Sequence, residues 1–196
     1  MPLNARSFTR GSRGIGRSSD RPCSSRGSSD GPTNSIARTI RSCAFCAFAE
    51  RERWREARSR RPNTALQRTL DEAYAGIVRE LARNGVPLLA GSDAGYSFIF
   101  HGRSLHDELA LLVRAGLTPL QALQAATVNP ARYLGLADSL GTVAENKLAD
   151  LVLLDADPLI DIRNTTRIRA IIADGRLLER AGLDQLLTTA AARASP

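Results

Sequence analysis

The segment Val86-Pro87-Leu88-Leu89-Ala90-Gly91-Ser92-Asp93-Ala94-Gly95 joins an apolar run to a small polar turn that carries one carboxylate. A run of Val, Leu and Ala without alternation is typical of a strand that is covered on both faces, as in the parallel sheets of α/β proteins. We therefore expect Asp93 to follow the carboxyl end of a buried strand, which in α/β barrels is the catalytic rim. The alternative interpretation is a loop aspartate that caps the next helix.

Helical patterns lie on both sides of this predicted strand. Thr69 and Glu72 form a capping-box pattern, and the apolar stripe that follows them ends at Asn84-Gly85. Ser104 is the predicted N-cap of the first helix after the strand. Helical spacing and capping signals predict three helices there, within residues 104–116, 118–126 and 129–135.

From Gly141 onward the pattern changes to short strands and turns. Asn146 occupies a turn where positive φ is expected, and Asp174-Gly175 is typical of the two-residue turn of a hairpin. A terminal helix is predicted within residues 183–192. Strands are predicted within residues 141–143, 148–155 and 169–178.

Taken in order, these segments resemble the amidohydrolase superfamily, and most closely its branch of imidazolonepropionase-like and Xaa-Pro-dipeptidase-like hydrolases. The resemblance covers roughly residues 67–196. It implies an α/β fold, namely that of an incomplete TIM-barrel-type metal-dependent hydrolase. Residues 67–138 would form the last βα unit of the barrel and the helices that follow it. Residues 139–180 would be the C-terminal strands of a small β-sandwich, and residues 181–196 a terminal helix and tail. Besides residues 85–95, the stretches that carry the resemblance are Ser104-Leu-His-Asp-Glu-Leu109, Ala115-Gly-Leu-Thr-Pro119, Ala122-Leu-Gln-Ala-Ala-Thr-Val-Asn-Pro-Ala131, Leu134-Gly-Leu136, Leu140-Gly-Thr-Val143 and Ala149-Asp-Leu-Val-Leu-Leu-Asp155.

Hydrolases of this superfamily use one or two divalent metal ions, typically zinc, to acidify water and to polarise a carbonyl group. The resemblance assigns Asp93 to the last-strand carboxylate, which binds the metal or its water, accepts the water proton and passes it to the leaving nitrogen. The implied substrates are small amides, cyclic amides or dipeptide-like molecules. His101 and His106 are candidate substrate contacts. The alternatives are loop packing for His101 and a hydrogen bond at the helix start for His106.

The chain offers few candidates for the other metal ligands. It contains two histidines, no His-x-His pair and a single lysine, Lys147. One carboxylate does not hold a catalytic zinc. We therefore expect a truncated family member that is inactive on its own and does not bind the metal alone. The alternative is a non-catalytic partner that associates with itself or with a chain supplying the rest of the barrel, because unpaired strand edges promote association.

Residues 1–66 differ from the rest of the chain in composition. Residues 1–70 hold 15 arginines and 5 acidic residues, so the net charge of +7 originates in this segment. Its few large apolar side chains among Ser, Gly and Arg predict disorder. A non-native N-terminus is favoured over an organelle transit peptide. Within the segment, Ala47–Ser59 predicts a short solvated helix around Trp54.

Two motifs of this segment lack the context that their chemistry needs. Thr9–Gly16 resembles a dinucleotide-binding glycine turn, yet no strand pattern precedes it and no helix pattern follows. Cys43 and Cys46 have zinc or redox spacing without a second pair.

The charge and cysteine content also bear on partners and location. The rest of the chain carries no basic face, so no nucleic-acid partner is expected. No apolar run reaches the roughly 20 residues of a membrane helix, so no membrane partner is expected either. The segments that resemble the family contain no cysteine, and with the absence of a secretory pattern this favours a cytoplasmic protein.

Overall fold

The computed structural model describes residues 64–94, 96 and 99–194. The predictions for residues 1–63, which include disorder, the glycine turn and the cysteine pair, lie outside the described residues. The elements in chain order are α1 (Thr64–Arg83), α2 (Ser104–Ala115), α3 (Pro119–Ala126), α4 (Val128–Tyr133), β1 (Leu151–Leu154), a 3-10 helix (Ile162–Thr166), β2 (Ile168–Ala173), β3 (Arg176–Glu179) and α5 (Arg180–Ala194).

Helix α1 begins earlier than its sequence pattern predicts. Thr69 lies inside the helix, where its hydroxyl donates to the Ala65 carbonyl at 3.2 Å, so the predicted cap at Thr69 is wrong. A helical threonine can bond to the carbonyl four residues before it, and this bond replaces the role in capping. The predicted end of the helix is confirmed, because Gly85 has a positive φ of 72° and its N–H donates to Ala82.

Helices α2 and α3 hold the centre of the core. Thr118 and Gln121 form a capping box, which confirms the predicted start of a helix at residue 118, and Gly116 closes α2 with a φ of 118°. Ser104 is not the N-cap of α2, which is Arg103; its hydroxyl instead accepts the Phe100 N–H at 2.8 Å. Val78 and Ala82 of α1 pack against the buried cluster, which consists of Leu109, Leu112, Leu117, Ala122, Ala125 and Ile162.

The segment Val86–Ala90 is not a strand in the structure, which corrects the prediction of a buried strand. Within the described residues it has no ladder partner, and a ladder needs a second strand. Leu88 and Ala90 pack against the core, whereas Val86 and Leu89 are 44% and 46% exposed. The segment is therefore covered on one side rather than on both.

The C-terminal part contains a three-stranded antiparallel sheet in the order β1-β2-β3. The predicted hairpin is confirmed: Asp174 and Gly175 have φ values of 49° and 69° between β2 and β3, as its two-residue turn requires. Asn146 also adopts the expected positive φ, 66°. The predicted strand at residues 141–143 is wrong, because these residues form a bend and an irregular stretch. Gly141 lies against Ala131 and Thr127, and this close packing replaces strand pairing.

Among the described residues, no helix has the length and apolar character needed to cross a membrane.

Candidate functional site

Asp93 is exposed and directly follows segment 86–92, which is neither helix nor strand. Its φ of 49° is in the left-handed region, which aspartate tolerates better than most residues. Within residues 64–94, 96 and 99–194 its carboxylate has no hydrogen-bond or ion-pair partner. It does not cap α2, whose N-cap is Arg103. The carboxylate is therefore accessible to a ligand from solvent.

Two hydrogen bonds attach the segment before Asp93 to the helices. The side-chain Nδ2 of Asn129 donates to the Leu88 carbonyl at 2.9 Å, and the Ala90 N–H donates to the Ala125 carbonyl at 2.9 Å. Asn129 is the first residue of the predicted helix within residues 129–135, and its sequence context predicts no contact for its side chain. The contact joins residues 41 positions apart, so no local signal predicts it.

His106 lies in the first turn of α2 and joins that helix to the 3-10 helix. Its Nδ1 is 3.0 Å from the hydroxyl oxygen of Thr165, a buried residue. The Thr165 hydroxyl donates its only hydrogen to the Ile162 carbonyl at 2.8 Å, so it accepts from His106. We infer that neutral His106 carries its hydrogen on Nδ1 and leaves Nε2 as an acceptor. The predicted substrate contact of His106 stays a prediction.

Burial and a neighbouring cation determine the charge state of His106. Burial lowers its pKa below 6.5, and Arg103 lowers it further, while Asp107 opposes both. Arg103 and Asp107 pair with each other at 3.1 Å, which moderates both effects. His106 is therefore neutral at physiological pH.

Two further polar residues lie near the start of α2, His101 and Glu108. His101 is exposed in the turn before α2, and no hydrogen bond joins it to Asp93 in the described part of the chain. Glu108 is half-buried on α2, and burial raises the pKa of its carboxyl. Glu108 belongs to the stretch Ser104-Leu-His-Asp-Glu-Leu109 that carries the resemblance, but the burial of a helical glutamate cannot be predicted from its neighbours in sequence.

The described residues do not fit the divalent metal that the resemblance implies. They contain no group of three or more His, Cys, Asp or Glu side chains placed to hold an ion. Lys147 does not substitute, because its ammonium donates to the Ala137 carbonyl at 2.7 Å. A zinc site needs three or four such ligands, and Asp93 supplies one.

Comparisons with known proteins identify relatives of this chain. A profile of the amidohydrolase family matches residues 32–178, so the match begins ahead of residue 67, where the resemblance in the sequence begins. The chain is 37% identical over 94 residues to an imidazolonepropionase from Thermoplasma volcanium, a match covering 47% of this chain and 22% of that enzyme. It is 40% identical over 72 residues to an adenine deaminase 2 from Jannaschia sp., a match covering 37% of this chain and 11% of that enzyme.

A solved structure of an amidohydrolase is also similar to this chain. The chain superimposes on a bottromycin amidohydrolase with a TM-score of 0.61 and 27% identity, covering 78% of this chain and 34% of that one. The chain thus spans about a tenth to a third of the length of the proteins it matches.

Proposed function

Because the chain belongs to the amidohydrolase family, we propose that it contributes Asp93 to a metal-dependent site that hydrolyses C–N bonds of small amides or dipeptide-like molecules. The observation that supports this role is the exposed Asp93 carboxylate, which has no partner among the described residues and follows segment 86–92. A carboxylate in this state can bind a cation or accept a proton from water. Family members generally use a divalent metal, with zinc the expected ion.

We propose further that the chain alone is inactive. Its residues supply one rim carboxylate, two histidines and a lysine that is bonded to backbone carbonyls. His106 directs Nδ1 to Thr165, and only its Nε2 remains for another ligand. Substrate binding by His101 or His106 would therefore need a complete site to which the rest of the barrel contributes.

The test combines metal analysis with hydrolysis assays of the full chain. Purified protein is expected to hold no stoichiometric zinc and to hydrolyse no N-acyl amino acid or dipeptide above a blank. Adding a polypeptide that carries a His-x-His barrel segment is expected to restore metal-dependent turnover. Asp93→Asn should abolish this turnover, whereas Asp138→Asn, a change at another exposed aspartate, should not. Turnover by the chain alone, or restored turnover that survives Asp93→Asn, would refute the proposal.

A second candidate function is that of a non-catalytic assembly partner. Two observations favour it. The backbone of Leu89 makes no hydrogen bond within the described residues, and the side chains of Val86 and Leu89 are exposed. A segment with unpaired backbone groups is a template for strand pairing. If this is its role, the full chain should form oligomers or a stable complex with the complementing polypeptide, and Leu89→Pro should prevent that pairing. A monodisperse monomer that binds no such polypeptide would exclude it.

A further inference from the structure

Exposure alternates from residue to residue along the segment that leads into the candidate site. The exposed residues are Pro87, Leu89, Gly91 and Asp93, and the three residues between them are half-buried. Alternation with a period of two is the geometry of an extended backbone, in which successive side chains point to opposite faces. The segment therefore has the side-chain pattern of a strand, although no second strand pairs with it within the described residues.

One edge of this backbone is bonded to helices α3 and α4. The Leu88 carbonyl accepts from Asn129, and the Ala90 N–H donates to the Ala125 carbonyl. In an extended backbone the N–H and C=O groups of alternate residues point to the same edge, so both bonds lie on the edge of residues 88 and 90. The backbone groups of residues 87, 89 and 91 then point to the opposite edge.

That opposite edge is open. It presents the Pro87 carbonyl and the N–H and carbonyl groups of Leu89 and Gly91, and no backbone hydrogen bond within residues 64–94, 96 and 99–194 reaches them. Leu89 is 46% exposed, so another chain can approach it. Unpaired strand edges of this kind are templates for pairing.

We propose that this edge pairs with the same edge of a second copy of the chain, as two antiparallel strands related by a two-fold axis at Leu89. The inference rests on the second candidate function and names its partner. With Leu89 opposite the Leu89 of the second copy, the N–H of each donates to the carbonyl of the other. The Gly91 N–H of each copy then donates to the Pro87 carbonyl of the other.

Two features favour a second copy as the occupant. A two-fold interface requires a patch that complements itself, and here Pro87, which has no N–H, lies opposite Gly91. A Cβ added at Gly91 would meet nothing within 4 Å, so the Pro87 ring of the second copy has space beside it. The bonds of Leu88 and Ala90 to the helices occupy the other edge, so pairing stops at two chains instead of continuing into a fibre.

The first test is the mass of the full chain by analytical ultracentrifugation over a roughly 100-fold range of micromolar concentrations. A few residues on each side bury less than the ~1,000 Å² of a stable interface, so the mass should rise with concentration from monomer to dimer. Leu89→Pro removes the N–H at the axis from both copies and should weaken dimerisation roughly tenfold or more. Leu89→Ala keeps both bonds and should weaken it less.

Two results of this measurement would overturn the inference. One is growth beyond the dimer into open aggregates. The other is a monomer at every concentration, and if that monomer binds the complementing polypeptide, the second candidate function stands without a second copy. Neither result depends on turnover, so the proposed role of Asp93 is tested separately.

A disulfide across the axis tests the register and does not depend on a proline variant that folds. In a full chain that carries Cys23→Ser, Cys43→Ser and Cys46→Ser, Leu89→Cys places two thiols on residues whose Cα atoms are about 5.5 Å apart, a distance that a disulfide spans. Mild oxidation with diamide should link two chains at least about ten times faster than in the control Leu111→Cys, at a leucine of α2 that is 50% exposed. Equal rates of linkage would refute the pairing at Leu89.

Discussion

Replacing Thr165 by valine tests the contact that joins α2 to the 3-10 helix. Valine has nearly the same shape as threonine but lacks the hydroxyl that donates to Ile162 and accepts from His106. Thr165 is only 6% exposed, so water cannot readily replace these bonds. The loss leaves the Nδ1 hydrogen of His106 and the Ile162 carbonyl without their partner.

The magnitude follows from the bonds that are lost. A neutral hydrogen bond contributes about 0.5–1.5 kcal/mol, and a buried group left without a partner costs about 1–3 kcal/mol. His106 is half-buried, so part of its loss is regained from water. We expect Thr165→Val to destabilise the contact by about 1–2 kcal/mol, which corresponds to a roughly 5- to 30-fold change in an opening equilibrium.

Hydrogen exchange followed by mass spectrometry measures this local opening. Amides of residues 162–166 and of the first turn of α2 should exchange faster by that factor. Thr166→Val is the control at an exposed position: its hydroxyl donates to the Arg163 carbonyl at 2.8 Å but contacts no histidine. In a double-mutant cycle, His106→Ala and Thr165→Val should be non-additive, because each removes the same bond. Equal effects of the two threonine variants, or additivity in the cycle, would refute the assigned contact.

Three further predictions concern other contacts of the fold. Burial, aided by Arg103, lowers the pKa of folded His106 below 6.5. The contribution of neutral His106 to stability should therefore be full above pH 6.5 and decline as the pH falls from 6.5 to the folded pKa. Urea denaturation between about pH 7.5 and 5.5 should show this decline, and His106→Gln should remove it. Asn129→Ala should weaken the attachment of Leu88 by about 1 kcal/mol and speed hydrogen exchange in residues 86–92, whereas an unchanged rate would exclude that role. Gly141→Ala should lower the unfolding midpoint and cost roughly 1–3 kcal/mol of stability. The φ of Gly141 is 89°, and the added Cβ would lie 2.8 Å from the Ala131 Cβ. Gly175→Ala should cost less, because Gly175 has a positive φ but open space around the added Cβ.

Sequence signals predicted the parts of the fold that depend on neighbouring residues. The capping box at Thr118 acts over three positions, and the turn at Asp174-Gly175 acts over two. The ends of α1 and α2 were predicted by Gly85 and Gly116, which adopt positive φ. Each of these features has its physical cause within one turn of chain, so composition at that point is sufficient to predict it.

Features that depend on distant partners were missed or misplaced. The bond from Asn129 to Leu88 and the bond from His106 to Thr165 join residues 41 and 59 positions apart. The sequence identified His106 as a residue of interest but not its partner, since many threonines follow it. Asp93 was predicted as a site residue from its place after the apolar run and from the resemblance, and its role stays a prediction.

Residues 86–90 show which features of a segment the sequence can predict. Their apolar composition correctly predicts a segment next to the core, because Leu88 and Ala90 pack there. Composition cannot predict the ladder, since strand structure is a property of a pair of segments. Residues 86–90 have no ladder partner within the described part of the chain, so their position depends on the packing of Leu88 and Ala90 against the core. The bonds from Asn129 to the Leu88 carbonyl and from the Ala90 N–H to the Ala125 carbonyl therefore position the backbone that leads to Asp93.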